Sequence, residues 1–225
     1  MKARESVSKL LYEVHHDCPS LEVALKSNAF IALAFMAYSC SVYNYFMNSA
    51  WKQYYVTKIE VSDQQMALIL TYGAFANSIV RVASGFLMMK YDFKYIFIGL
   101  IGSTIICCFT IDLLLLNYFM GAIYSMTVFG GIGIQVTIFP TVCTKVFGPL
   151  IGPKVFPFVF SFFSMANLTQ YFMLKFSDNW NMMFWVYGII AVGGLAVGWS
   201  FNTTQNWAKY VVNDNKDEKQ IGLPK

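Results

Sequence analysis

Six stretches of this sequence are apolar for long enough to form membrane-length helices, and polar residues punctuate them. The first runs from about Asn28 to Met47 without a charge, bracketed by Lys26 and Lys52, and the second, Gln65 to Met89, holds one charge, Arg81. From Ile96 to Phe139 almost every residue is apolar, a run of about 44 residues that would be about 66 Å long as one helix, twice the hydrocarbon core of a bilayer. Such a run must fold back once. Asp112, its only charge, with Asn117 close by, marks the turn and predicts spans near 96–111 and 117–139. Two more spans follow, near Val155 to Leu174 and Met182 to Phe201, and the cluster Pro140, Pro149, Pro153 and Pro157 predicts a helix boundary between the fourth and fifth. The pattern therefore predicts an all-α membrane protein with six transmembrane helices. A polar N-terminal segment (1–27) precedes the six-helix bundle (28–201), and a flexible polar tail (202–225) follows it. Val7, Leu10, Leu11 and Val14 stand at helical spacing in the first segment, which fits a short amphipathic helix on the membrane surface or packing against the bundle.

Composition narrows the choice of class. Of 225 residues 57% are apolar and only 12% charged, about half the charge of a soluble domain. The net charge of +4 is spread thinly with no Lys/Arg cluster, so nucleic acid is not an expected partner. The basic residues speak to topology instead. Only Lys52, Lys58 and Lys175 fall on one side of the spans, whereas the other side receives the remaining lysines and Arg4 from both chain ends and two loops. Both termini are expected to face the cytoplasm, or the matrix if the membrane is the mitochondrial inner membrane rather than the plasma membrane. The five cysteines include no C-x-x-C pair, and both histidines, His15 and His16, lie in the polar N-terminal segment. No histidine is left inside the bundle for serine proteolysis or di-metal chemistry, so neither an enzyme, a metal site nor a cofactor is expected. The Pro-x-[Asp/Glu]-x-x-[Lys/Arg] repeats of mitochondrial carriers are also absent from the sequence.

The polar residues inside the spans are the candidates for function. Arg81 would cost several kcal/mol facing lipid, so it should point into the bundle or a wet cavity. Gly73, Asn77, Arg81 and Ser84 recur at roughly helical spacing, giving the guanidinium polar and small neighbours that admit a ligand, and a guanidinium is a natural fork for a carboxylate. The other reading is an arginine bonded to helix carbonyls or to an acid elsewhere. Weaker stripes are Ser41, Asn44, Tyr45 and Asn48 in the first span, Tyr124, Gly131 and Gln135 in the fourth, and Ser161, Ser164, Asn167 and Tyr171 in the fifth. Such residues join helices by hydrogen bonds or line a substrate path, and spacing alone does not choose between them.

Two segments resemble a known family. Asn77-Ser-Ile-Val-Arg81-Val-Ala-Ser-Gly85-Phe-Leu-Met-Met-Lys90-Tyr-Asp-Phe-Lys94 is similar to the eighth span and following loop of major facilitator superfamily transporters, in particular the oxalate/formate antiporter and monocarboxylate porter group. Phe139-Pro140-Thr-Val-Cys-Thr-Lys145-Val-Phe147-Gly148, with Gly152 and the aromatic run Val155 to Phe163, resembles that group's connection from the tenth to the eleventh span. The resemblance covers roughly residues 20 to 205 and implies spans seven to twelve, the C-terminal half of the fold. It implies further that Arg81, four residues before Gly85, pairs with the carboxylate of a small, monocarboxylate-like organic anion, and that Asn77, Asn44, Tyr45 and Gln135 help line the site. Met89 stands where the family loop has an acid, Asp92 where it has glycine, and Lys154 and Lys175 only flank the span in which oxalate-type members carry a lysine. Family members bind substrate between two six-span halves, so this chain is expected to need a partner in the lipid bilayer. That partner is a second six-span half, from the same or a different chain, or other membrane subunits. Three expectations follow: a half-length transporter, a transporter-derived structural subunit of a larger, possibly mitochondrial, complex, and a truncated gene product.

Overall fold

Helices start where a side chain can accept a hydrogen bond from the first free backbone N–H groups. In the computed structural model, which describes residues 17–176, 179–205 and 207, Ser20, Ser27, Ser62, Asn117 and Asn179 all cap in this way. They open α1 (Leu21–Lys26), α2 (Asn28–Lys58), α3 (Asp63–Lys90), α5 (Tyr118–Phe147) and α7 (Trp180–Ser200), and α4 (Phe93–Leu114) and α6 (Gly152–Phe176) complete the set. At α3 the cap is reciprocal: the Gln65 backbone N–H donates to Ser62 Oγ and the Ser62 N–H donates to Gln65 Oε1. Among the described residues all regular structure is helical.

Five helices, α2, α3, α4, α5 and α7, are long and apolar enough to cross a membrane. With 25 residues α6 is long enough, at about 37 Å, but Lys154, Ser161, Ser164, Asn167, Gln170 and Lys175 interrupt it, and no membrane-length stretch of it is as apolar as those of the other five.

Two boundaries differ from the sequence expectation. The α2 helix continues past Met47 to Lys58, because its last turns are tied to the rest of the bundle through the fully buried Tyr54 and Tyr55. Pro140 and Pro157, expected to mark the break between spans, lie inside α5 and α6, and the break itself is only Gly148 to Ile151. Pro140 has no N–H to donate to the Val136 carbonyl four residues earlier, and α5 nevertheless runs on through it to Phe147. Hydroxyls bond to carbonyls beside it, Thr141 to the Thr137 carbonyl and Thr144 to the Pro140 carbonyl, each at 3.0 Å. Gly148 ends α5 with φ of +86°, and the Asp17 carboxyl occupies the space where a Cβ would stand, so only glycine suits the position.

The packing has an internal pattern. The main contacts are α3 on α5, α2 on α6 and on α7, and α4 on α7, with α2 and α5 crossing at the centre and α5 also meeting α4 and α6. Exchanging α2 with α5, α3 with α6 and α4 with α7 converts the α2–α6 contact into α5–α3 and the α2–α7 contact into α5–α4. The α5–α6, α2–α4 and α3–α4 contacts are exceptions, without a comparable contact between α2 and α3, α5 and α7, or α6 and α7. The two sets of three helices are thus related in their main contacts only. One apolar cluster fills the end of the bundle around Phe93, Phe97, Phe139 and Phe163, and a second fills the other end around Phe46, Tyr54, Phe184 and Tyr187.

Both described chain ends meet at the C-terminal end of α5. The Cys18 backbone N–H donates to the Phe147 carbonyl at 3.3 Å, and the Trp207 indole N–H donates to the Val146 carbonyl at 2.9 Å with its ring against Phe147. Trp207 is 2% exposed, so packed structure reaches beyond the expected boundary at 201, and the flexible tail expected from 202 does not begin there. The expected amphipathic helix at Val7 to Val14 lies outside the described residues.

Candidate functional site

The centre of the bundle is held by polar groups on α2 and α5. The Ser41 hydroxyl donates to Gln135 Oε1 at 2.9 Å, and Gln135 Nε2 donates to the Cys40 carbonyl at 2.9 Å. Asn44 Nδ2 donates to the same carbonyl at 2.9 Å, within its own helix. Ser41, Asn44 and Gln135 are all buried between the two helices. Gly131 makes room for this layer, since a Cβ there would stand 2.9 Å from Asn44 Nδ2. Two of the residues expected to line a substrate path, Asn44 and Gln135, are therefore buried with an amide N–H of each bonded to a helix carbonyl.

The next layer joins α3 to α5. Asn77 Nδ2 donates to the Phe129 carbonyl at 2.7 Å, and Gly133 lies so close to the same turn that a Cβ would meet the Asn77 carbonyl oxygen at 2.6 Å and Arg81 Cγ at 3.4 Å. Gly73 is pressed in the same way against the Phe129 ring. The sequence stripe Gly73–Asn77–Arg81–Ser84 separates here into two roles. Each step of four residues turns about 40° beyond a full helical turn, so the face drifts. Gly73 and Ser84 are buried against α5 and Asn77 is half-buried, whereas Arg81 lies at the margin of that face and is exposed.

Arg81 has no hydrogen-bond or ion-pair partner among the described residues. Its position follows from α3 itself, nine residues before the end at Lys90 and eighteen after the start at Asp63, about 14 Å and 27 Å along the axis. Helical side chains lean toward the N-terminus, which takes the guanidinium away from the nearer end of the helix. Tyr45 of α2 is half-buried, its ring edge-on to Phe163 of α6 with centroids 6.4 Å apart. Of the five expected site residues, Arg81 is exposed and Tyr45 half-buried, Asn77 and Gln135 bond to carbonyls of a neighbouring helix, and Asn44 bonds within its own. The α6 stripe of Ser161, Ser164, Asn167 and Tyr171 is exposed as well.

Three polar contacts were not apparent from the sequence. Lys58 at the end of α2 forms an ion pair with Asp112 at the end of α4, and the Tyr54 hydroxyl donates to the same carboxylate at 3.3 Å. With Asn179, Trp180 and Asn181, Lys58 lines a shallow cleft of about 550 Å³. Asp112 marks the turn as expected, and as the only acid in an apolar run it signals the need for a counter-ion. Lys145 Nζ donates to the Met88 carbonyl at 2.9 Å, placing a cation on the C-terminal end of α3, where the helix dipole favours one. The Tyr38 hydroxyl and Thr169 hydroxyl, 2.9 Å apart, join α2 to α6.

No family model matches the chain, and no curated protein matches it in sequence.

Proposed function

We propose that this chain is half of a major facilitator-type transporter for a small, monocarboxylate-like organic anion, with Arg81 neutralising the carboxylate and Tyr45 helping to line the site. In this reading α2 to α7 all cross the membrane. The polar stripe of α6 faces the substrate path, which accounts for its lower hydropathy, and both termini lie on the cytoplasmic or matrix side, where most of the lysines fall. The observation that carries it is the exposed, unpaired Arg81 near the middle of a membrane-length helix. A guanidinium at that depth needs an anion or a water-filled path. The chain, extracted with whatever covers α3, is reconstituted into vesicles and uptake of labelled formate and lactate is measured. Uptake above empty vesicles that is lost in Arg81→Ala and retained in part by Arg81→Lys supports transport. Equal counts for wild type, Arg81→Ala and empty vesicles refute it.

A second reading, a transporter-derived structural subunit of a larger complex, rests on a different observation. Asn44 and Gln135 are buried, and Asn44, Asn77 and Gln135 each bond a helix carbonyl, the role of residues that hold helices rather than a substrate. This reading predicts extraction in mild detergent as a stoichiometric complex whose stability, rather than any uptake, depends on Arg81.

A further inference from the structure

Of the five helices apolar enough to cross a membrane, the one that carries Arg81 is the least covered. Its most apolar stretch is 22% buried, against 67% for α2, because α3 packs almost entirely on α5. Its remaining surface has two parts. Phe75, Ile79, Val82 and Phe86 form an exposed apolar face that lipid covers without difficulty. Between that face and the α5 contact runs a second stripe, Ala67, Thr71, Ala74, Ser78 and Arg81, exposed along its length and made of small or polar residues. Thr71 and Ser78 satisfy their hydroxyls on carbonyls of their own helix, so this stripe presents a smooth surface with a single charge on it. Small residues in this spacing allow another helix to approach closely.

The charge decides which helix. Opposite a bare guanidinium at this depth a neighbour must supply an anion. This chain has none to offer. Its only acid within a membrane-length apolar stretch is Asp112, which stands at the end of α4 and is already paired with Lys58. A second copy packed symmetrically through this face would bring two Arg81 guanidiniums toward each other with no carboxylate between them. We infer that the α3 stripe docks a transmembrane helix of a different protein, one that carries an aspartate or glutamate at the depth of Arg81. This rests on the membrane reading above and names the missing partner: a heterologous chain, recognised by an intramembrane ion pair. A carboxylate substrate and the partner's acid would then compete for the same guanidinium.

The test uses the chain in its native membrane with a photo-cross-linking amino acid placed at Ser78, one turn from Arg81 and exposed. The expected product is an adduct with a different polypeptide, cross-linked within a span that contains an Asp or Glu. Arg81→Met should lower the adduct yield about tenfold, as for loss of one interhelical polar contact, and Arg81→Lys should retain most of it. Arg81→Asp combined with an arginine in place of the partner's acid should restore the yield. An adduct with a second copy, with lipid only, or with a span that has no acid overturns the inference, as does failure of the charge exchange to restore a yield that Arg81→Met had lowered. Because the Arg81 guanidinium has no partner among the described residues, Arg81→Met should leave the bundle itself folded, which its circular dichroism in detergent checks. The outcome is independent of transport: a complex that cross-links as expected but moves no anion defeats the transport reading alone, and a homodimer that transports defeats the docking inference alone.

Discussion

Replacing Gly133 by alanine sets two known effects against each other. Alanine in place of glycine inside a helix normally stabilises it, by up to about 1 kcal/mol. At Gly133 the new methyl would stand 2.6 Å from the Asn77 carbonyl oxygen and 3.3 Å from its Cα, and ordinary contact begins near 3.4 Å. The obstacle is backbone, which cannot rotate aside, so α3 must move off α5 by about 0.8 Å, the difference between 3.4 Å and 2.6 Å. A shift of that size also stretches the hydrogen bond from Asn77 Nδ2 to the Phe129 carbonyl beyond its present 2.7 Å. Overpacking of this kind costs about 1–3 kcal/mol, and an interhelical hydrogen bond in a bilayer averages about 0.6 kcal/mol. Set against the gain in propensity, the net expectation is a loss of roughly 0.5–2.5 kcal/mol. Unfolding is followed by circular dichroism as the chain is titrated from a mild detergent into dodecyl sulfate. Gly99 supplies the control, since nothing lies within 4 Å of a Cβ there, and Gly99→Ala should be neutral or stabilising. If Gly133→Ala is as stable as Gly99→Ala, the close α3–α5 contact, and with it the placement of Arg81, is wrong.

Other perturbations test other joints. Gln135→Leu removes the bonds to Ser41 and the Cys40 carbonyl and should cost about 1–2 kcal/mol in the same titration. The Lys58–Asp112 pair, with side chains 35% and 29% exposed, should contribute no more than about 1 kcal/mol, and Lys58→Met combined with Asp112→Asn should lose less than the sum of the single changes. Trp207→Ala removes the indole from Phe147 and the Val146 carbonyl and should make the chain after 201 sensitive to limited proteolysis while the bundle stays intact. At Cys18, burial raises the thiol pKa above its ordinary value, with the Asp17 charge adding to the rise and a hydrogen bond to Ser20 opposing it. The neutral thiol therefore favours the folded end of the bundle at and below the unfolded pKa. That contribution disappears as pH rises through the folded pKa, so maleimide labelling should lag behind unfolded chain near neutral pH and catch up in alkali.

Much of the architecture was legible because lipid-length apolar runs and caps are local signals. Asp112 and Asn117 mark a turn in the sequence as they do in the fold, and Asn117 caps the helix that follows it. Helix ends were less legible. Tyr54 and Tyr55 look like interface residues in a polar stretch, and only their burial against α4, α5 and α7 explains why α2 continues to Lys58. Pro140 and Pro157 read as breaks because proline lacks an N–H, yet both helices run through them, with threonine hydroxyls bonded to carbonyls beside Pro140. Trp207 is an aromatic in a polar tail, and its docking site on α5 is some sixty residues away in sequence. The candidate site was legible by residue type but not by role. Asn44, Asn77 and Gln135 have the right spacing for a polar path, but Asn77 and Gln135 bond to carbonyls on a neighbouring helix, which no spacing reveals, and Asn44 bonds to a carbonyl of its own. Arg81 was conspicuous in the sequence and remains so in the fold, since nothing within the described chain neutralises it.

The decisive question is what the Arg81 face meets in its native membrane. With Arg81→Cys introduced there, reaction with the charged, membrane-impermeant sulfonatoethyl methanethiosulfonate reports whether an anion in water reaches this point, the native thiols being buried. An anion path predicts ready modification by this charged reagent from the aqueous side. Protection from the charged reagent together with ready modification by a lipid-soluble maleimide would contradict it, leaving α3 against lipid or sealed against a structural partner.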